Sequence, residues 1–428
     1  MIVGGVDIWS IMAHDFPVAR DGWSYDGDVL TLTNCTITDV HATTGMIPGT
    51  GTGGMSADYR DGLAVSGDLT IRLVGENKIS IPASRIAVEG FSEVLACGIN
   101  SRGNLTIVGD GSLTIEFTGY NPSGCYGLRT DGMLTIGTGS DCPRLIIRSA
   151  DIDAALGTFG ETVGVLAGGI RMNSGDVYIE SGHANNADAP YMKSQGVQLA
   201  YSDEGINIYK GSFVVKCGSA DVAKAYSFAI DFGSNGPDAL SCVYDCYFLA
   251  ENAPGVPAYS YYSYSSRIHA SSYAGVNITH RWRHDADAEW YDPATAGPHH
   301  EVFGSQADDC FRAEAHRMEY AAASRISYDA NGGTGTMADQ TVFCGETITL
   351  PACGFTAPAG MQFKCWQIGG KEYPAGGSIT VMGGETVKAR WEKTGTVPAT
   401  GDGTTLLLLS ALALTSLCAM AALRRRRA

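Results

Sequence analysis

The side chains best suited to hold a ligand lie in the stretch Tyr259-Ser260-Tyr261-Tyr262-Ser263-Tyr264. At this spacing Tyr259, Tyr261, Tyr262 and Tyr264 present flat amphipathic faces, which stack on sugar rings or on protein epitopes. A Tyr-rich final turn packed on its neighbour is the plainer alternative. Acid–base chemistry on a carbohydrate would need paired carboxylates, or Ca²⁺-binding acids beside a basic proton acceptor. Asp28, Asp68, Asp110, Asp131 and Asp176 sit next to glycine instead, where an aspartate caps the backbone of a turn. Asp151 and Asp153 share one face if extended, but no second cluster completes a site. His280-Arg281-Trp282-Arg283-His284 and His299-His300 lack a metal-ligand spacing and read as solvated edges. No catalytic residue, metal site or cofactor is therefore assigned.

A second chemical feature stands at the C-terminus. Val397-Pro398-Ala399-Thr400-Gly401 precedes the uncharged run Thr404 to Leu423, which is followed by Arg424 to Arg427. Pro398 holds the chain extended and disfavours helix at Val397, and Gly401 permits close approach to the backbone. As a helix at roughly 1.5 Å per residue the apolar run spans about 30 Å, enough to cross a bilayer. The four arginines bias their end to the cytoplasm, so residues 1 to 403 are expected outside.

This tail resembles the sorting signal of Gram-positive cell-wall proteins, an LPxTG pentapeptide before a hydrophobic segment and a basic tail, with Val397 in place of the usual Leu. The resemblance implies that a sortase cuts between Thr400 and Gly401, holds the Thr400 carbonyl as a thioester and passes it to an amine of the peptidoglycan precursor. The chain would be the substrate of that chemistry and cell-wall anchored, spanning the membrane only before sorting. Export also needs a signal peptide, and the opening Met1-Ile2-Val3-Gly4-Gly5-Val6-Asp7 shows no basic n-region and apolar h-region. A truncated or misassigned start is the expectation.

A chain of 428 residues has room for two or three domains. Without the four tail arginines, 25 basic against 45 acidic residues leave a charge of −20 on the exported part, which argues against nucleic acid as a partner. The 55 glycines and short runs of Thr, Ile, Val and Leu between turn signals indicate an all-β chain. Cys418 lies in the apolar run and leaves eleven of the 12 cysteines outside, an odd number. Cys242 and Cys246 are near enough to pair, and Cys344, Cys353 and Cys365 share one small domain, yet buried free thiols are favoured over an extensive disulfide framework.

One phrase recurs between residues 25 and 250. Gly62-Leu63 leads to Leu69-Thr70-Ile71, Gly98-Ile99 to Leu105-Thr106-Ile107, and Gly127-Leu128 to Leu134-Thr135-Ile136. Looser copies run from Gly169-Ile170-Arg171 to Gly175-Asp176-Val177-Tyr178-Ile179 and from Gly196-Val197 to Gly205-Ile206-Asn207-Ile208. Leu and Ile at i and i+2 face one side and Thr the other. Each copy reads as a short strand, a corner at a glycine able to take positive φ, and a second strand; a third follows at Ser112-Leu113-Thr114-Ile115 and Arg144-Leu145-Ile146-Ile147. Such units bury their apolar side only when stacked, so residues 1–270 are read as a right-handed parallel β-solenoid, with a β-sandwich as the competing architecture. Trp23 to Asn34 and the rungs after it look like the carbohydrate-binding-type solenoid modules of bacterial surface proteins, which implies a pectate-lyase-like helix that binds glycans without implying cleavage. Residues 271–325 lose the repeat and are expected to cap the coil's open end.

Residues 326–392 start anew, with Ile326 to Gly333, Gly345-Glu346-Thr347-Ile348-Thr349-Leu350-Pro351, Phe363-Lys364-Cys365-Trp366, Ile379-Thr380-Val381 and Val387 to Trp391. This order resembles the internalin-type B repeat, or Listeria-Bacteroides repeat. It implies a β-grasp-like spacer or protein-contact module with Phe363, Trp366 and Trp391 in its core and Cys365 able to pair with Cys344 or Cys353. A polar linker (393–404), a transmembrane helix (405–423) and a basic tail (424–428) complete the expected order. The leading expectation is a surface protein that contacts a host or environmental glycan or protein. A polysaccharide lyase or glycosidase is the alternative, and a structural spacer the second. A groove lined by Tyr, Thr and Asn favours the binder, whereas acids and bases converging in a groove with perturbed carboxylates favour the enzyme.

Overall fold

The computed structural model describes residues 2–3, 6–7, 18–39, 41–46, 56–81, 93–118, 124–152, 160–184, 192–200, 204–219, 225–231, 240–252, 268–270, 280–283, 289–290, 310–311 and 317–394. Among them there is no helix, and the chain is all-β with a parallel β-solenoid. The expected transmembrane segment, the basic tail and all but the first residues of the linker lie outside the described residues. No described helix is long and apolar enough to cross a membrane.

Three parallel ladders run through the solenoid. In the first, Leu63, Ile99, Leu128, Val165, Val197 and Ile230 lie in register, one per strand. In the second, Leu69-Thr70-Ile71 stacks on Leu105-Thr106-Ile107, Leu134-Thr135-Ile136, Ile170-Arg171-Met172 and Ile206-Asn207-Ile208. In the third, Asn77-Lys78-Ile79 stacks on Leu113-Thr114-Ile115, Leu145-Ile146-Ile147, Val177-Tyr178-Ile179 and Phe213-Val214-Val215. The i and i+2 apolar residues of each strand are buried in one continuous core. Each contributes about 1.5–3 kcal/mol by leaving water, and a single turn has nothing against which to bury them.

The register corrects one of the looser copies. Gly169-Ile170-Arg171 belongs to the second ladder, and Gly175 to Ile179 enters the third. The first-ladder equivalent in that turn is Gly164-Val165, which takes the place held by Gly127-Leu128 one turn earlier. The corner between first and second strands shrinks here to Gly168 alone, so the phrase compresses and its glycines fall one ladder late.

The glycines fall into columns with different causes. Between the second and third strands, Gly75, Gly109, Gly137, Gly175 and Gly211 all have positive φ and make the bend there, whereas Gly67, Gly103 and Gly132, at the corner between first and second strands where the repeat led us to expect it, do not. Gly62, Gly98, Gly127, Gly164 and Gly196 of the first ladder are there for space instead. A methyl group on Gly127 would overlap Ile147 Cγ2 across the core and the Gly164 carbonyl of the next turn; Gly98 and Gly164 face the same kind of pair, and Gly196 meets Val215 Cγ1 and the Ala229 carbonyl. The first strand thus lies close against the third-ladder side chains.

Antiparallel strands close both ends. His41–Met46 and Ile2–Val3 pair antiparallel with Ser56–Val65, and Trp23–Tyr25 pairs antiparallel with Val29–Thr33. Parallel pairing continues to Ile268–Ala270, while Arg317–Asp329 runs antiparallel to the last third-ladder strand at Glu251–Tyr247 and to His280–Arg283. Buried Glu319 knits this end together, accepting from Tyr247 Oη at 2.7 Å, Arg283 Nε at 2.6 Å and Arg317 at 3.1 Å. His280-Arg281-Trp282-Arg283 is therefore not a solvated edge. Trp282 is fully buried, and the Arg281 guanidinium lies 4.1 Å from the ring centres of both Trp290 and Phe343.

Two compact units divide the chain: one of Met1–Ser327, Ala338–Leu350 and Gly377–Thr386, the other of Tyr328–Met337, Pro351–Gly376 and the chain from Val387 on. The division runs through the sequence expected to form one module. Gln340–Phe343 pairs with Ala323–Ile326, and Thr347–Thr349 with Ser378–Thr380, inside the larger unit. In the smaller unit Met361–Ile368 pairs antiparallel with Lys371–Tyr373 and Glu385–Lys393. Trp366 is its fully buried centre, ringed by Tyr328, Phe355 and Phe363, while Trp391 is half-buried and donates to the Ala330 carbonyl at 2.9 Å. Cys242, Cys246, Cys344, Cys353 and Cys365 are free thiols.

The glycine column makes a contrast that thermal denaturation reads directly. Gly127→Ala adds a methyl where none fits and is expected to destabilise by about 1–3 kcal/mol. Gly67→Ala, at a corner with open space around it, is expected to stay within about 0.5 kcal/mol of the parent.

Candidate functional site

Alternation on the second ladder turns Leu and Ile inward and leaves two outward columns. One reads Val29, Thr70, Thr106, Thr135, Arg171 and Asn207; the other begins Asp68, Asn104, Met133. Successive strands stand about 4.7–4.9 Å apart, so the threonine hydroxyls form a regular row of groups that both donate and accept. Over these columns lies an open groove of about 660 Å³, lined by Tyr25, Asp28, Asp68, Thr70, Asn104, Thr106, Met133, Thr135 and Arg171 among others.

Backbone-bound side chains hold the groove's floor rigid. Asp68 Oδ1 accepts the Asn104 N–H at 2.7 Å, and Asn104 Oδ1 accepts the Met133 N–H at 2.9 Å, so each turn is pinned by the polar side chain of the one before. At the Tyr25 end, Asp26 Oδ1 accepts the N–H groups of Val29 and Asp28, and these bonds hold its carboxyl below the usual range. The Tyr25 hydroxyl donates to the Gly27 carbonyl at 2.6 Å, and partial burial together with Asp28 and Asp26 pushes its pKa up. The tyrosine stays neutral there, with a fixed ring.

Of the aspartates beside glycine, Asp68 and Asp110 cap the backbone of the next turn, not of their own, and Asp151, which is not beside a glycine, does the same. Asp110 accepts the Cys142 N–H at 3.0 Å, Asp151 the His183 N–H at 2.7 Å, and Asp131 and Asp176 pair with arginines. Among the described residues no group of three or more His, Cys, Asp or Glu could hold a metal ion.

A second polar constellation lies on the first ladder and is enclosed. Asp61 is 3 % exposed; its Oδ2 accepts from Asn100 Nδ2 at 3.0 Å, while Asp61 Oδ1 and Asn100 Oδ1 have no partner. Burial raises the Asp61 pKa to about 6, against the pull of the Asn100 bond and the charges of Arg129 and Arg102. One turn on, the Tyr126 hydroxyl donates to buried Glu161, whose other oxygen lies 3.9 Å from Lys193 Nζ. Burial, then Glu161, pushes the Tyr126 pKa well up. The perturbed carboxylate is thus in the interior, and none of these groups lines the groove.

The residues singled out by sequence, Tyr259, Tyr261, Tyr262 and Tyr264, and Val397, Pro398, Ala399, Thr400 and Gly401, are all outside the described residues. The groove residues were not among them. Their signal was present as the outward Thr of each Leu-Thr-Ile, which reads as a spacer between two core residues until the strands are stacked.

Asp61 carries a pH dependence with a definite sign. Its folded-state pKa of about 6 lies above the unfolded value, so the stability it contributes is full below about pH 4 and lost as pH rises through about 6. Asp61→Asn keeps an acceptor for Asn100 and removes the buried charge. Urea midpoints from pH 4 to 8 should show a flatter profile and, above pH 7, a gain of roughly 1–3 kcal/mol. No family model, curated protein or solved structure matches the chain, so its function has to be read from its own surface.

Proposed function

We propose that this chain is a non-enzymatic, cell-wall-anchored surface protein whose solenoid binds a glycan along the second-ladder groove. The observation that carries the reading is the in-register row Thr70, Thr106 and Thr135, flanked by Asn104 and headed by Tyr25, in a groove that none of the strongly perturbed carboxyls lines. A ring of known amphipathic type at one end and repeated hydroxyls along the floor suit a linear, hydroxyl-rich ligand lying along the stacking direction. In this reading the coil is right-handed, and the segment 326–392 is a B-repeat module of β-grasp type that acts as spacer. The tail 393–428 is sorted by a sortase at Thr400 onto peptidoglycan after its transmembrane helix halts in the membrane. Sequence order and tail chemistry support the anchoring; the groove supports the binding.

Asp61 with Asn100 and Arg129 favours a second reading, a lyase or glycosidase that uses a carboxyl tuned to about pH 6. Its burial weighs against it, since a substrate must reach within hydrogen-bond distance of the acid that serves it.

Two measurements test the proposal. Fractionation of the native host should release the protein with the wall digest, ending at Thr400; recovery from cytosol with Arg424 to Arg427 intact refutes the anchoring. On a glycan array, the exported part should bind, and Thr106→Val with Thr135→Val should weaken that binding about tenfold or more at unchanged melting temperature, one to two hydrogen bonds' worth. Product formation from a bound polysaccharide, abolished by Asp61→Asn, would replace the binder with the enzyme.

A further inference from the structure

Arg72 and Arg171 of the second ladder both lack an ion pair among the described residues, and of the two it is Arg171 that lines the groove. Arg102 pairs with Asp131 at 3.5 Å, Arg144 with Asp176 at 3.7 Å and Arg148 with Glu180 at 3.1 Å, each acid lying one turn further along. In the column that holds Arg171, the neighbours before and after are Thr135 and Asn207, both neutral, and Arg171 makes no ion pair among the described residues. It is exposed, and it lines the groove. At the opposite end the groove is lined by Asp28 and Asp68, with Asp26 adjoining, so the trough has a cationic end and an acidic end. From Thr70 to Arg171 is three strand spacings, about 14 Å, beyond the screening length of about 8–10 Å at moderate salt. The two ends therefore act on a ligand separately.

We propose that Arg171 is an anion subsite, and that the groove takes a short linear oligosaccharide with a single carboxylate at the end lying over Arg171. This rests on the groove being a glycan site. The guanidinium is a planar fork that matches a carboxylate with two parallel hydrogen bonds. Over Thr135, Thr106 and Thr70 the ligand must be uncharged and rich in hydroxyls, and it ends at the Tyr25 ring. A second carboxylate at that end would meet Asp28 and Asp68, so a uniformly anionic polymer is disfavoured. The charge of −16 on the whole chain acts in the same direction.

The test uses three probes on the exported part of the protein: a tetrasaccharide of three neutral hexoses ending in glucuronate, the same compound with its carboxyl reduced to the alcohol, and tetragalacturonate. The glucuronate-ended probe is expected to bind about tenfold or more tightly than the reduced one, and tetragalacturonate more weakly than the glucuronate-ended probe. Arg171→Gln should bring the first down to the level of the second and leave the second unchanged. Arg171→Lys should retain part of the preference, as a point charge without the fork. Equal binding of acid and alcohol by the parent protein, or an equal loss of both on Arg171→Gln, overturns the subsite and leaves the glycan groove standing. Failure of the parent protein to bind any of the three, or the other glycans of an array, removes the groove reading and this one with it.

Discussion

Parallel pairing of each turn with the next is the interaction on which everything else in the larger unit depends. A lone turn has an apolar side it cannot cover and backbone groups it cannot pair; its neighbours supply both. In-register stacking has a further consequence. Whatever a position carries is repeated along the axis at a fixed spacing, so a Leu column becomes a core, a Gly column a close approach, and a Thr column a row of hydroxyls.

The glycine columns show how strongly this geometry constrains the chain. Gly98, Gly127 and Gly164 sit where the first strand meets Ile Cγ2 atoms across the core, and where each carbonyl lies on the glycine of the turn before. Polar side chains then pin the turns. Asn77 is buried and bonds to Cys35 N at 2.9 Å and to the Ser112 carbonyl at 3.1 Å, linking three turns through one side chain. Ser181 and Ser194 share a bond at 2.9 Å inside a corner, with Ser194 closing on the Gly182 carbonyl. These contacts satisfy buried groups that strand pairing leaves open at the corners. They also explain why so many polar residues appear in what is a core-forming repeat.

The same stacking separates two kinds of polar site. Where a polar column faces outward, as at Thr70 to Arg171, the result is a groove open to a ligand. Where polar groups lie beneath the surface, as at Asp61 and Asn100, the result is a carboxyl whose pKa lack of solvent raises to about 6. Perturbed titration by itself thus marks burial here as readily as function, and accessibility decides between them.

Much of the architecture was legible in the residues. The all-β class, the buried i and i+2 pairs such as Leu69 with Ile71, and the stacking of the Leu-Thr-Ile strands follow from alternation and repetition, which are local properties. Register did not follow where a corner shrank, as at Gly168, because loop length moves a phrase along the sequence without moving its strand in space. Nor did the partition of residues 326–392, since Ala323–Ile326 takes Gln340–Phe343 as its partner, a choice made by strand pairing between segments that sequence alone ranks equally. The sequence by itself determined which residues of each strand must be hidden. The tertiary structure alone decided which outward residues stand side by side, because Thr70, Thr106, Thr135 and Arg171 become neighbours only when strands about thirty residues apart in the chain are brought to one strand spacing.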